Sequence, residues 1–305
     1  ARISLIAGII GLLLSIGGYF LDHGQFFHSY LVAFVFWFTM SIGALFLTLL
    51  HHLTSAVWTV VIRRLFETMM VILPWLMLFF IPVLFGMKDL FHWAHPELVA
   101  HDHLLTLKSP YLNVPFFIVR ALIFAAIWTL FSWLLYRNSV KNDETGDPSF
   151  IKKAKKISPL GIILFAFTLS FASFDWIMSL DAHWYSTIFG LYVFSGSTLS
   201  AYCVLTLLVI YFVKSGELKD YVTMEHFHDL GKLIFTFLVF WSYMAFSQYF
   251  LIWYANIPEE TIWFAHRWVG SWKTVSVFLV VGHFVVPFFI LIIRASKRNL
   301  NVLAI

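Results

Sequence analysis

The sequence predicts an all-α polytopic membrane protein whose eight transmembrane helices form two four-helix bundles. Three observations predict it. Of 305 residues, 61% are hydrophobic, 20% aromatic and only 12% charged, whereas a soluble domain carries about a quarter charged residues. Eight apolar runs, at 3–21, 29–50, 66–85, 114–136, 159–180, 186–213, 231–255 and 272–293, each approach the roughly 20 residues that a helix needs to cross a ~30 Å hydrocarbon layer. Lysine and arginine crowd into alternate loops. The runs are continuously apolar, unlike the alternating strands of a β-barrel. This composition excludes a soluble enzyme and a disordered chain. The single cysteine, Cys203, excludes a disulfide framework, a thiolate-held iron–sulfur cluster and a CxxCH haem attachment within the chain. The first apolar run lacks a small-residue cleavage site, so no signal peptide is predicted.

Charge orients the runs. With the N-terminus inside, the inner segments hold Arg2, Arg63, Arg64, Arg137, Lys141, Lys152, Lys153, Lys155, Lys156, Lys214, Lys219, Lys232, Arg294, Lys297 and Arg298, fifteen in all. The outer segments hold only Lys88, Lys108, Arg267 and Lys273, and Arg120 falls within a span. Both termini are therefore expected in the cytoplasm. The expected division is a first bundle at 1–136, a basic cytoplasmic linker at 137–158, a second bundle at 159–294 and a cytoplasmic tail at 295–305. The linker's basic end suits anionic lipid headgroups or a partner protein, or simply fixes topology. The outer segment 86–113 is long and carries His92, His95, His101 and His103, whose loose spacing does not predict a metal site. LDHGQFFHSYLVAF (21–34) and LDAHWYSTIFGLYVF (180–194) form a weak repeat at an offset of about 159 residues, which implies parallel halves.

Ionisable groups at membrane depth are costly unless paired or hydrated, which makes them functional candidates. Arg120 and Asp175 lie about six and five residues from the outer ends of the fourth and fifth runs, roughly 7–9 Å deep at 1.5 Å per residue. Those runs are antiparallel, so the two side chains are expected to pair or share water. The pair is either a structural clamp or part of a proton pathway. Asp22, His23 and His28, then Asp181, His183 and Tyr185, are expected around it, with Tyr243, Gln248 and Tyr249 lining the seventh span. Such groups could relay protons through water, although tyrosines also populate interfacial belts. At the inner side Glu67 is expected to pair with Arg63 one helical turn away, and Asp229 to cap the seventh helix near Lys232. His283, mid-span and without a second histidine at matching depth, does not predict a haem; packing, a proton relay or a quinone contact remain for it. The 35 Phe, 13 Trp and 12 Tyr suit lipid-facing surface or a flat apolar slot for a quinone ring.

Three stretches resemble a known family: LHHLTSAVWTVVIRRLFE (50–67), FDWIMSLDAHWYSTIFGLYVFSG (174–196) and HDLGKLIFTFLVFWSYMAFSQYFLIWYANIPEE (228–260), together about a quarter of the chain. They are similar to the ActF family of membrane subunits of bacterial alternative complex III, within the NrfD/PsrC-like membrane proteins. The resemblance implies two four-helix bundles and a place in the bacterial inner membrane. It implies a quinol:cytochrome c or electron-acceptor oxidoreductase, with iron–sulfur clusters and c-type haems held by partner subunits. The implied partners are the iron–sulfur, c-type cytochrome and ActC-like membrane subunits, with a terminal oxidase as a further one, besides membrane lipids and no nucleic acid. It implies no metal and no cofactor in this chain, which would scaffold the complex and supply proton half-channels; menaquinone or its quinol is the ligand the family allows. Carried over, its polar network falls on Asp175, Asp181, His183 and Glu67. The family has ten helices, which implies a flanking helix at each end beyond this sequence. The rival readings are a subunit that itself binds and oxidises quinol, and a stand-alone transporter.

Overall fold

The computed structural model describes residues 2–305, with side chains from Leu5 onward. It is helical throughout, with no strand among the described residues. Seven helical segments are long and apolar enough to cross a membrane, and they make the chain a multi-pass membrane protein. The first predicted run forms α1 (Arg2–Leu21), whose apolar part Leu5–Leu21 is shorter than the other seven segments and largely exposed.

α2 (His23–Thr54) begins where the Asp22 carboxylate accepts the Gln25 N–H at 3.0 Å, and it ends at Ser55 in the left-handed region. The third apolar run is not one helix. It divides into α3 (Arg63–Val71), α4 (Leu73–Leu78) and α5 (Ile81–Phe85) because Pro74 and Pro82 each remove a donor. Neighbouring helices repair the damage, as backbone breaks inside a membrane require. The Met70 carbonyl, which Pro74 cannot serve, accepts the Ser132 hydroxyl at 3.0 Å. Around Pro82 the Val83 N–H turns to Phe80, and the Phe79 carbonyl accepts the Tyr30 hydroxyl at 2.6 Å.

Three short helices, α6 (Met87–Leu90), α7 (Pro96–His101) and α8 (His103–Lys108), fold the long loop over that end of the molecule. α9 (Val114–Thr145) and α10 (Ser149–Trp176) follow as a hairpin. The expected basic linker at 137–158 is therefore mostly helix. α9 continues past the apolar run until Gly146, at φ 67°, stops it, and α10 starts three residues later. A helix of 32 residues is about 48 Å long, more than the hydrocarbon layer.

A 3₁₀ turn at Met178–Asp181 leads to α11 (Phe189–Lys214), then α12 (Met224–Ala255) and α13 (Pro258–His266). Asp229 does not cap the seventh span. Thr223 does, with the His226 ring accepting the Thr223 N–H at 3.1 Å, while Asp229 pairs with Lys232 at 2.6 Å a turn later. α14 (Trp272–Val280) and α15 (Val286–Ile292) make the last span, joined by a π-helical turn at Val281–Val285 just before Pro287. The segment 295–305 is not a free tail. A 3₁₀ turn and α16 (Leu300–Leu303) fold back on α12 and α11. The buried Lys297 stem lies across Gly231, and its ammonium caps the Leu291 carbonyl at 2.6 Å.

α2 is central, against α3, α9, α10 and α11. The fifth span, α10, packs on α9 and α2, so the tightly packed bundle crosses the boundary expected at 137–158. The apolar windows of α2 and α11 are each 56% buried, while that of the last span is only 6% buried. Where α2 crosses α11, a Cβ on Gly43 would run into the Ser197 carbonyl and come within 2.8 Å of the Ala201 Cβ. Only glycine allows that approach, the small-residue contact by which membrane helices gain dispersion energy.

Candidate functional site

The α9–α10 hairpin turns at Gly146–Pro148, so residues whose numbers add to about 295 lie opposite one another. Arg120 meets Asp175 in that register, and Trp128 donates its indole N–H to Thr168 at 2.9 Å. The Arg120–Asp175 pair is bidentate. Nε donates to Oδ2 at 2.7 Å and Nη2 to Oδ1 at 3.0 Å, while Nη1 donates to the Tyr111 carbonyl at 2.9 Å. The guanidinium lies over the rings of Tyr111 and Phe116, at 3.9 and 4.4 Å from their centroids. Asp175 is fully buried and Arg120 is 6% exposed. Planar delocalised charge, a matching fork and two aromatic faces are what let a guanidinium survive such burial.

Beside the pair lies a cavity of about 390 Å³ between the 107–112 segment and the C-terminal part of α10. Phe171, Phe174, Met178 and Tyr185 give it apolar walls, and Lys108, Tyr111 and Ser179 are its polar groups. The Tyr111 hydroxyl and the Trp184 indole N–H are buried without hydrogen-bond partners. Burial, then the Asp175 charge, pushes the Tyr111 phenol above its ordinary range. Burial lowers Lys108, and Asp181 and Asp102 oppose that.

Two ties hold the loops over this end. Lys108 donates to the Ala182 carbonyl, and the His183 ring lies 2.6 Å from Asp102. Asp102 also caps α8 by accepting the Leu104 and Leu105 N–H groups. The Leu105 N–H, followed by His183, holds its carboxyl below the usual carboxylate range. On the far side, Trp263 stacks on Trp184 at 4.0 Å and carries the Arg267 guanidinium over its other face.

A second polar cluster sits at the other end of α9. Glu67, fully buried, is reached by Arg63 Nε at 3.3 Å, Arg64 Nη1 at 3.0 Å and the Ser139 hydroxyl at 2.7 Å. Both arginines also hold Asp143, Arg63 at 3.0 Å, and Asp143 is half-exposed. Next to it His51 contacts Thr59 at 2.6 Å, and the His52 ring is buried with Nε2 unpartnered. Between the clusters stands an aromatic core of Phe34, Phe38, Phe80, Trp128 and Trp176. Arg120 and Ser139 are 19 positions apart on α9, about 28 Å along its axis.

The structure brings Arg120 to Asp175, Arg63 to Glu67, and His183 and Asp181 to the loop end of the same bundle. It does not gather the others there. Asp22 is the α2 cap and His28 bonds the Gly24 carbonyl within its own helix. Tyr243 and Tyr249 are exposed, while Gln248 is buried with Oε1 unpartnered. His283 occupies the π-helical turn, edge-on to Trp241 at 4.5 Å. Sequence reasoning missed Tyr111, three positions before α9, and Phe116, in its first turn, and it missed buried Ser139 and half-exposed Asp143, which follow on α9 beyond its apolar run. It also missed the adjacent His51 and His52. No group of three or more His, Cys, Asp or Glu among the described residues could hold a metal ion. No protein-family model matches this chain, and no curated protein matches it.

Proposed function

We propose that the chain is a cofactor-free membrane subunit of a respiratory quinol:cytochrome c or electron-acceptor oxidoreductase, scaffolding the complex and carrying protons coupled to quinol oxidation in partner subunits. One observation supports it most. Two carboxylates, Asp175 of α10 and Glu67 of α3, are fully buried against opposite ends of α9, each neutralised by arginine: Asp175 by Arg120, and Glu67 by Arg63 and Arg64. Charge at such depth is a cost that a purely hydrophobic scaffold would not carry. The resemblance to alternative complex III subunits points the same way. In this reading α1 is an eighth span, both termini are cytoplasmic, and the loop end faces outward. The aromatic core then separates two half-routes, one serving each buried carboxylate.

The experiment is proton release and uptake per quinol oxidised by the complex in sealed vesicles, with Asp175→Asn and Glu67→Gln variants. The proton role predicts a changed stoichiometry at retained quinol binding. Unchanged turnover and stoichiometry, with lower thermal stability, would leave Arg120–Asp175 as a clamp. A second reading, quinol binding by this chain, is favoured by the ~390 Å³ cavity with its unpartnered Tyr111 hydroxyl and Trp184 N–H. It requires a partner's redox centre nearby, and filling the cavity with Ser179→Phe would then abolish quinone protection of the protein against heat.

A further inference from the structure

The cations of the α9–α10 hairpin divide into two sets. Arg63 and Arg64 bind its half-exposed Asp143. On its outward face Arg137, Lys141 and Lys153 have no carboxylate within ion-pair distance among the described residues. They are organised nonetheless. The Arg137 guanidinium lies 4.9 Å from the Trp133 ring centroid. Lys141 and Lys153, from different helices, share the Phe150 ring at 5.7 and 4.8 Å. Trp133, Arg137 and Lys141 follow at intervals of four on α9, one face of a helix, and the same face continues down as exposed Leu130 and Leu122.

The stripe therefore runs from exposed leucines through Trp133 to Arg137, with Lys141 and Lys153 meeting at Phe150 beyond it. That order is the order of groups in a phospholipid: acyl chain, glycerol region, phosphate. The neighbouring carboxylates are Glu144, three positions after Lys141, and Asp147, which accepts from the Ser149 N–H at 2.9 Å and hydroxyl at 2.6 Å, and neither is within ion-pair distance of the three cations. We propose that this face binds one anionic phospholipid, its phosphate among Arg137, Lys141 and Lys153 and its chains along Trp133, Leu130 and Leu122. Cations near a membrane surface each favour anionic headgroups by an amount worth roughly fivefold in binding, and a converging set adds position to charge.

The test is native mass spectrometry of the full-length protein released from nanodiscs of equimolar phosphatidylglycerol and phosphatidylcholine. Wild type is expected to retain one phosphatidylglycerol. Arg137→Gln, Lys141→Gln and Lys153→Gln are each expected to lower its retention about fivefold, with the fold checked by circular dichroism. Lys214→Gln with Lys219→Gln removes two cations elsewhere and is expected to leave retention unchanged. An equal loss in that control, retention of phosphatidylcholine to the same degree, or displacement by millimolar inorganic phosphate would each overturn the site. Because the readout is lipid retention, it fails or succeeds independently of any proton or quinol role.

Discussion

Arg120 with Asp175, and Glu67 with Arg63, Arg64 and Asp143, neutralise buried carboxylates near opposite ends of one helix pair, and they do so in different ways. At the loop end one guanidinium answers one carboxylate, each terminal nitrogen and the Nε have an acceptor, and the mutually perpendicular rings of Tyr111 and Phe116 pack against it. Asp175 is fully buried there and Arg120 is 6% exposed. At the other end the charge is graded: Glu67 is fully buried, the Arg63 side chain is 12% exposed, Arg64 37% and Asp143 48%. A proton or ion arriving from water would meet Asp143 first and Glu67 last. The difference teaches that a buried pair and a cluster graded toward the surface need different sequences, a single matched fork for one and a surplus of exchangeable partners for the other.

The comparison breaks first at Asp175. Asp175→Asn strands a guanidinium with no counter-charge, which costs about 3–5 kcal/mol where a buried pair loses one member. Arg120→Met with Asp175→Leu removes both charges and should recover most of that loss, because well-packed apolar replacements of buried pairs are near neutral. Unfolding free energies of the two single variants and the double variant in one detergent check this. Single-variant losses below about 1 kcal/mol, the range of exposed pairs, would mean water reaches the site and the two ends are alike.

Glu67→Gln should cost less, about 1–2 kcal/mol for lost charge-assisted hydrogen bonds, since Arg63 and Arg64 keep Asp143. Raising salt should weaken the Asp143 contacts on which the variant relies and widen the gap between wild type and Glu67→Gln, because exposed charges are screened and buried ones much less so. The Asp175→Asn loss should be insensitive to the same salt. Equal salt dependence at both ends would erase the distinction.

Much of this was legible in sequence because it is local or follows helix phase. Arg63 and Glu67 are one turn apart, and two adjoining apolar runs around a Gly-Asp-Pro turn set Arg120 opposite Asp175. What failed was where a run of hydrophobicity was taken as the length of a helix. α9 outlasts its apolar stretch by a further turn or more, carrying Ser139 inward on the face of Arg120, Trp128 and Ser132 and bringing the half-exposed Asp143 to Arg63 and Arg64. Asp22 and Asp181 are both expected around the Arg120–Asp175 pair, but Asp22 is used up in capping α2. Helix phase also sorts α12: Trp241, Met244, Gln248 and Ile252 face inward, which turns Tyr243 outward. Tyr111, by contrast, lies in an irregular segment with no periodicity to place it over Arg120.

The smallest expected effect concerns what covers the sealed end. Asp102 joins the two loops there, accepting from Leu104, Leu105 and the His183 ring. Because the folded protein holds its carboxyl below the usual range, its contribution is fully present above the unfolded value of about 3.9 and is lost as pH falls through the lower folded value. Amide exchange at Leu104 and Leu105, normalised for its intrinsic pH dependence, should therefore stay flat from neutral pH down and rise only below about pH 4. His183→Ala should loosen the 180–185 loop, still held by Lys108 at the Ala182 carbonyl, while leaving the α8 cap in place. In both cases the amides of α9 and α10 around Arg120 and Asp175 should remain protected, since the pair depends on its own fork and rings and not on the loops above it. Loss of protection at Arg120 together with Leu104 would make the Asp102–His183 tie, and not the guanidinium fork, the element that closes this end of the bundle.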